Sequence, residues 1–102
     1  MPLPYQIAQK IHGATSPGSH RAHDLIDLQL ILARNELDLS QTRRLCERLF
    51  AYRGQQAWPP VVILGENWTS LYDAQKGGLP VLSTVEEAIN WANTLISRIA
   101  NV

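Results

Sequence analysis

With a single cysteine, Cys46, the 102-residue chain can close no internal disulfide. Charge of one sign is missing too, since nine Lys and Arg balance nine Asp and Glu. No overall field therefore draws the chain to DNA, RNA or an anionic membrane, and any polyanion contact has to be local. No apolar run exceeds four residues, the length of the stretch at 61–64, whereas a secretory leader or a membrane span needs far more. A cytoplasmic, reducing location is the expectation that follows. The three histidines are not spaced with Cys46 as zinc ligands, and no repeat or low-complexity tract divides the sequence.

What is present is enough for one packed core: 45% of the residues are apolar, and the length suits one small domain over residues 1–102. Apolar spacing of three and four dominates, which predicts an all-α fold, a small bundle of about five helices with one extended strap. Tyr5, Ile7, Ala8 and Ile11 mark a first helix from about Pro4, with Gly13 as its expected left-handed stop. Residues 13–19, rich in Gly, Pro and hydroxyls, predict a loop. A second helix starts between Ser19 and His23 and runs to Arg34, on a wide apolar face of Leu25, Leu28, Ile31 and Leu32. Asp38 or Ser40 caps a third, carrying Leu45, Cys46, Leu49 and Phe50 and ending at Gly54. Trp58, Pro59 and Pro60 force an extended backbone before Val61, Val62, Ile63 and Leu64, so residues 55–65 are expected to form a strap buried over the helices. A short helix at about 67–76 stops at Gly77 and Gly78. Ser83 with Glu86 predicts a capping box for the last helix, whose stripe runs from Val85 to Ile99.

The polar residues that stand apart from ordinary surface are Lys10, Arg21, Asp24 and Asp27. Asp24 and Asp27 are one helical turn apart beside Leu25 and Leu28, so both carboxylates project near the core and repel unless a cation intervenes. The cations at hand are Lys10, Arg21 or a bound metal. From spacing alone, the four residues serve as an ion-pair clasp between the first two helices or as a reactive centre, and both readings stay open. His12, His20 and His23 lie near Asp24 but on no fixed ligand geometry. Cys46 falls on a core face, and Trp58, Trp68 and Trp91 serve as packing anchors. Arg43, Arg44, Arg48 and Arg53 form a solvated helix face, with RNA contact as the alternative.

The stretch Ala8-Gln9-Lys10-Ile11-His12-Gly13, a loop, then Arg21-Ala22-His23-Asp24-Leu25-Ile26-Asp27-Leu28 resembles a signature of the AbiEii/AbiGii-type toxin nucleotidyltransferases. These belong to abortive-infection, type IV toxin–antitoxin systems. Their pattern has alanine where Gly13 stands and a base where His23 stands. Phe50-Ala51-Tyr52-Arg53, then Pro59 and Pro60, Trp68, Tyr72 and a final amphipathic helix are similar as well. The resemblance implies that Lys10 contacts nucleotide phosphates and that Asp24 acts as a catalytic or nucleotide-positioning carboxylate. Arg21 and Asp27 would hold those two in register. It implies a nucleoside triphosphate and an acceptor such as a tRNA end as substrates, an antitoxin as partner, and Mg2+ as cofactor of the intact enzyme.

The resemblance places the family in the polymerase-beta-like nucleotidyltransferase superfamily, whose magnesium-binding Asp-x-Asp is missing from these 102 residues, and no strand precedes Gly77-Gly78 to make a phosphate loop. The chain is therefore expected to correspond to the C-terminal helical portion of the family, with the catalytic sheet upstream of Met1. It should hold no metal of its own and be inactive alone as a transferase. The second reading is a stand-alone, non-enzymatic helical interaction or scaffold domain, a degenerate remnant in which the same four residues form a structural ion-pair network and the apolar strap or last helix meets a partner chain or a second copy.

Overall fold

The computed structural model describes residues 2–102. Five helices, α1 (Leu3–Thr15), α2 (His23–Arg34), α3 (Leu39–Arg53), α4 (Trp68–Lys76) and α5 (Val85–Ala100), account for 64% of the chain. Among the described residues there is no strand, as the helical spacing predicts. No helix among them is long and apolar enough to cross a membrane. Helix α2 is central, packing on α1, α4 and α5, while α3 closes the bundle against α1 and α5. Ile7, Ile11, Leu25, Phe50, Trp68 and Ile99 are all but fully buried between them.

Local chemistry sets most of the boundaries. Pro4 sits in the first turn of α1, where its missing N–H costs nothing. Asp38 caps α3 by accepting from the Gln41 N–H at 3.0 Å, and Gly54, at φ 64°, closes it with an N–H to the Phe50 carbonyl. The α5 capping box lies one residue beyond the expected pair: Thr84 and Glu87 exchange the two bonds, rather than Ser83 and Glu86. Both pairs have the required spacing, and starting the helix after Thr84 places Val85 in the core.

Two further expectations are corrected. Gly13 does not stop α1, which runs on to Thr15. The hydroxyls that follow do the capping: Thr15 Oγ1 donates to the Ile11 carbonyl, Ser16 Oγ to His12 and Ser19 Oγ to Gly13, satisfying the helix's last acceptors without a left-handed residue. The strap is not buried either. Val62 alone turns inward, while Val61 and Ile63 are 64% and 73% exposed and Leu64 is half exposed. The cause is Asn93 on α5, whose amide accepts from the Val62 N–H at 2.7 Å and donates to its carbonyl at 3.1 Å. In an extended chain that fixes Val61 and Ile63 on the opposite side.

Below the strap, polar side chains lock α4 in place. The Trp68 indole donates to the Ser19 carbonyl at 2.7 Å, pinning the α1–α2 loop. Tyr72 donates to the Leu82 carbonyl and accepts from Gln29 of α2, whose amide oxygen takes the Leu82 N–H. These bonds satisfy groups that burial would otherwise leave costly.

Candidate functional site

The loop at 16–22 returns α2 antiparallel along α1, bringing residue 10 opposite 27 and residue 13 opposite 24. All four polar residues singled out in the sequence meet on that seam. Lys10 Nζ donates to Asp27 Oδ2 at 2.8 Å and lies 3.6 Å from Asp24 Oδ1. Arg21 Nε donates to Asp24 Oδ2 at 2.8 Å, with Nη2 3.4 Å from Oδ1. His23 Nε2 stands 3.5 Å from the same Oδ1.

Burial is graded across the cluster. The Asp24 side chain is fully enclosed, Lys10 is 29% exposed, and Arg21, His23 and Asp27 reach further into solvent. An enclosed carboxylate persists only with matched charges and hydrogen bonds, and here both oxygens have them. The hydrogen bond from Lys10 to Asp27 raises the ammonium above the ordinary lysine value, against the opposing pull of burial. Arg21 is likewise raised by its bond to Asp24. Lys10 is thus a firmly charged ammonium at the rim of a neutralised pair, a third of it facing water.

Gly13 shapes this arrangement. It is buried inside α1, and a Cβ there would run into Asp24 Oδ2 and come within 2.7 Å of Arg21 Nε. The ion pair lies across α1 in the space a side chain would fill. Sequence reasoning assigned Gly13 to a helix stop and missed this contact; its one signal was the glycine in place of the pattern's alanine.

The cluster does not suit magnesium. Ligand atoms of His23, Asp24 and Asp27 lie within 4.8 Å of one another, but one of the three is a nitrogen, and Mg2+ takes oxygens in a tight octahedron. The ammonium of Lys10 already bridges the two carboxylates. The cation of this site is the lysine.

The remaining candidates behave as structural groups. Cys46 is enclosed, and desolvation pushes its thiol up to about 12. Trp68 is buried, and Trp58 and Trp91 pack half-buried on the core. His12, grouped in the sequence with the other histidines near Asp24, instead faces α3: it is buried edge-on to Phe50 at 4.9 Å, which in turn meets Trp58 at 5.4 Å. Its Nε2 has no hydrogen-bond partner among the described residues, and desolvation, then Arg53, lowers its pKa. Among the described residues, cavities of about 300–690 Å³ open on the surface beside α2 and α5, at the α1–α2 loop and along the strap, and these are not lined by Lys10, Arg21, Asp24 or Asp27.

A family model described as nucleotidyl transferase AbiEii toxin, type IV TA system, matches residues 1–93. No curated protein matches the chain at a significant level.

Proposed function

The chain belongs to the nucleotidyl transferase AbiEii toxin family, and on that premise we propose that it is the helical module whose Lys10 holds the phosphates of a nucleoside triphosphate during nucleotidyl transfer. The observation that carries this reading is the graded ion pair, with Asp24 sealed beneath and the Lys10 ammonium at the rim. A lysine is a compact, mobile charge, and on this reading a phosphate oxygen takes the place of the partly exposed Asp27 while Asp24 keeps the ammonium in place. Arg21 adds a second cation, its Nη1 free of any hydrogen bond to the described residues. With both oxygens of Asp24 engaged, its role is to position Lys10 and Arg21 rather than to take a proton from the acceptor hydroxyl.

The magnesium-binding carboxylates that this chemistry needs come, on this reading, from residues outside the 102, which contain no Asp-x-Asp. Lys10, Asp27 and Arg21 are partly exposed along the seam, and a catalytic sheet closing over them would form the triphosphate cleft. An RNA end such as that of tRNA fits as acceptor. The type IV toxin–antitoxin description brings an antitoxin partner, and the cytoplasm is where such substrates are found.

The test is transfer of labelled nucleotide by the enzyme assembled with its catalytic sheet. Lys10→Ala and Asp24→Asn should each lower the rate at least a hundredfold, and Lys10→Ala should leave the melting temperature within a few degrees. A scaffold domain is the competing reading, favoured by the complete pairing of Asp24. Lys10→Ala protein that melts far lower while transfer by its folded fraction is unchanged would establish the scaffold instead.

A further inference from the structure

The outer face of α3 lies apart from the α1–α2 seam, since α3 meets α1 through His12 and Phe50 and Lys10 faces α2. Along that face Arg44, Arg48 and Tyr52 follow one another at four-residue spacing, roughly 6 Å of rise per step, and all three are exposed. The one acid on the helix, Glu47, is taken by Arg43 at 3.5 Å, and Arg43 also donates to the Val102 carbonyl. Arg44 and Arg48 have no ion-pair partner among the described residues. Tyr52 is 89% exposed, more than any other large apolar side chain described. The fold therefore makes no use of its ring.

We propose that this face binds single-stranded nucleic acid, with Arg44 and Arg48 on phosphates and Tyr52 stacked on a base. Charge complementarity selects a polyanion: two unpaired guanidiniums on one stripe, in a chain with no net charge, form a local patch rather than a general field. The ring narrows the choice further. An acidic peptide would satisfy the arginines and leave Tyr52 in water, whereas a base offers a flat π-face to an aromatic platform beside cationic side chains. The surface is independent of the Lys10 centre and stands or falls without it.

The experiment is anisotropy of a fluorescein-labelled, mixed-sequence single-stranded RNA titrated with the full chain at low and moderate salt. Binding should weaken with salt at a log–log slope of about −1.4, from two phosphate contacts at roughly −0.7 each. Arg44→Gln with Arg48→Gln should remove that slope and weaken binding tenfold or more. Tyr52→Ala should weaken binding at least fivefold with the slope unchanged, while Tyr52→Phe retains it. Lys10→Gln should bind as the parent does. These positions are exposed, so circular dichroism of each variant should match the parent. Failure of the parent to bind, equal binding by Tyr52→Ala, or displacement of the RNA by an equal charge of poly-glutamate would each overturn the proposal, the last by assigning the face to an acidic protein.

Discussion

Replacing Gly13 by alanine sets two physical effects against each other. Gly13 lies inside α1, and in an unhindered helix the change should stabilise the fold by about 1 kcal/mol. Here the new methyl would meet Asp24 Oδ2 and Arg21 Nε and Cδ. Arg21 can swing into solvent, since half of its side chain is already there; Asp24 is enclosed and cannot follow. Its carboxylate would then be left with Lys10 at 3.6 Å and His23 at 3.5 Å. Removing one partner of a buried pair costs ~3–5 kcal/mol when nothing compensates. With Lys10 still close, a loss of about 1–3 kcal/mol net of the helix gain is the expected result. For a domain of this size that is a fall of roughly 5–15 °C in melting temperature. Urea and thermal melts followed at the helical dichroism band measure it, and Arg21→Ala should cost little more in the Gly13→Ala background, because the partner it removes has already left Asp24. A Gly13→Ala protein more stable than the parent by the full helix-propensity gain would refute the placement of the Arg21–Asp24 pair across α1.

His12 gives the fold a sensitivity to acid. Its pKa is lowered in the native state, so the unfolded chain binds the extra proton first; its contribution is complete above the ordinary histidine value of about 6.5 and is lost as pH falls from there toward the native value. Urea melts at pH 7.5 and 5 should show that His12→Leu removes part of the difference, and an unchanged difference would place the acid sensitivity elsewhere. Asn93→Ala should free both backbone groups of Val62, cost about 1–3 kcal/mol, and abolish hydrogen-exchange protection of the Val62 amide while leaving that of α3 intact. Cys46, with its thiol at about 12, should stay unreactive to a disulfide reagent at pH 8 in the native protein and react only at the rate of opening; immediate labelling would contradict its burial.

The parts of the molecule legible in the sequence are those whose causes are local. The stripe from Val85 to Ile99 defines α5, and Asp38 and Gly54 cap α3 with their own atoms. The meeting of Lys10, Arg21, Asp24 and Asp27 was legible because one-turn spacing put two carboxylates on one side, where they need a cation, and Lys10 and Arg21 were the basic residues at hand. What escaped depended on distant partners. Val62 is turned inward by Asn93, 31 residues away, so an apolar run of four gave no hint that only one member is buried. Gly13 sits inside its helix because Ser16 and Ser19 cap it and because Arg21 and Asp24 need its empty side. His12 went into an aromatic cluster with Phe50 and Trp58, which helical spacing within α1 could not disclose.

Only two lysines occur in the chain, Lys10 and Lys76, so a protein labelled with 15N-lysine has two side-chain ammonium signals and its own internal control. Titration with inorganic triphosphate should move the Lys10 signal with saturation, leave Lys76 nearly still, and lose the effect in Asp24→Asn protein that remains folded. Equal drift of both signals, or a Lys10 signal that stays in place at triphosphate excess, would contradict a phosphate-binding role for the ammonium held by Asp24.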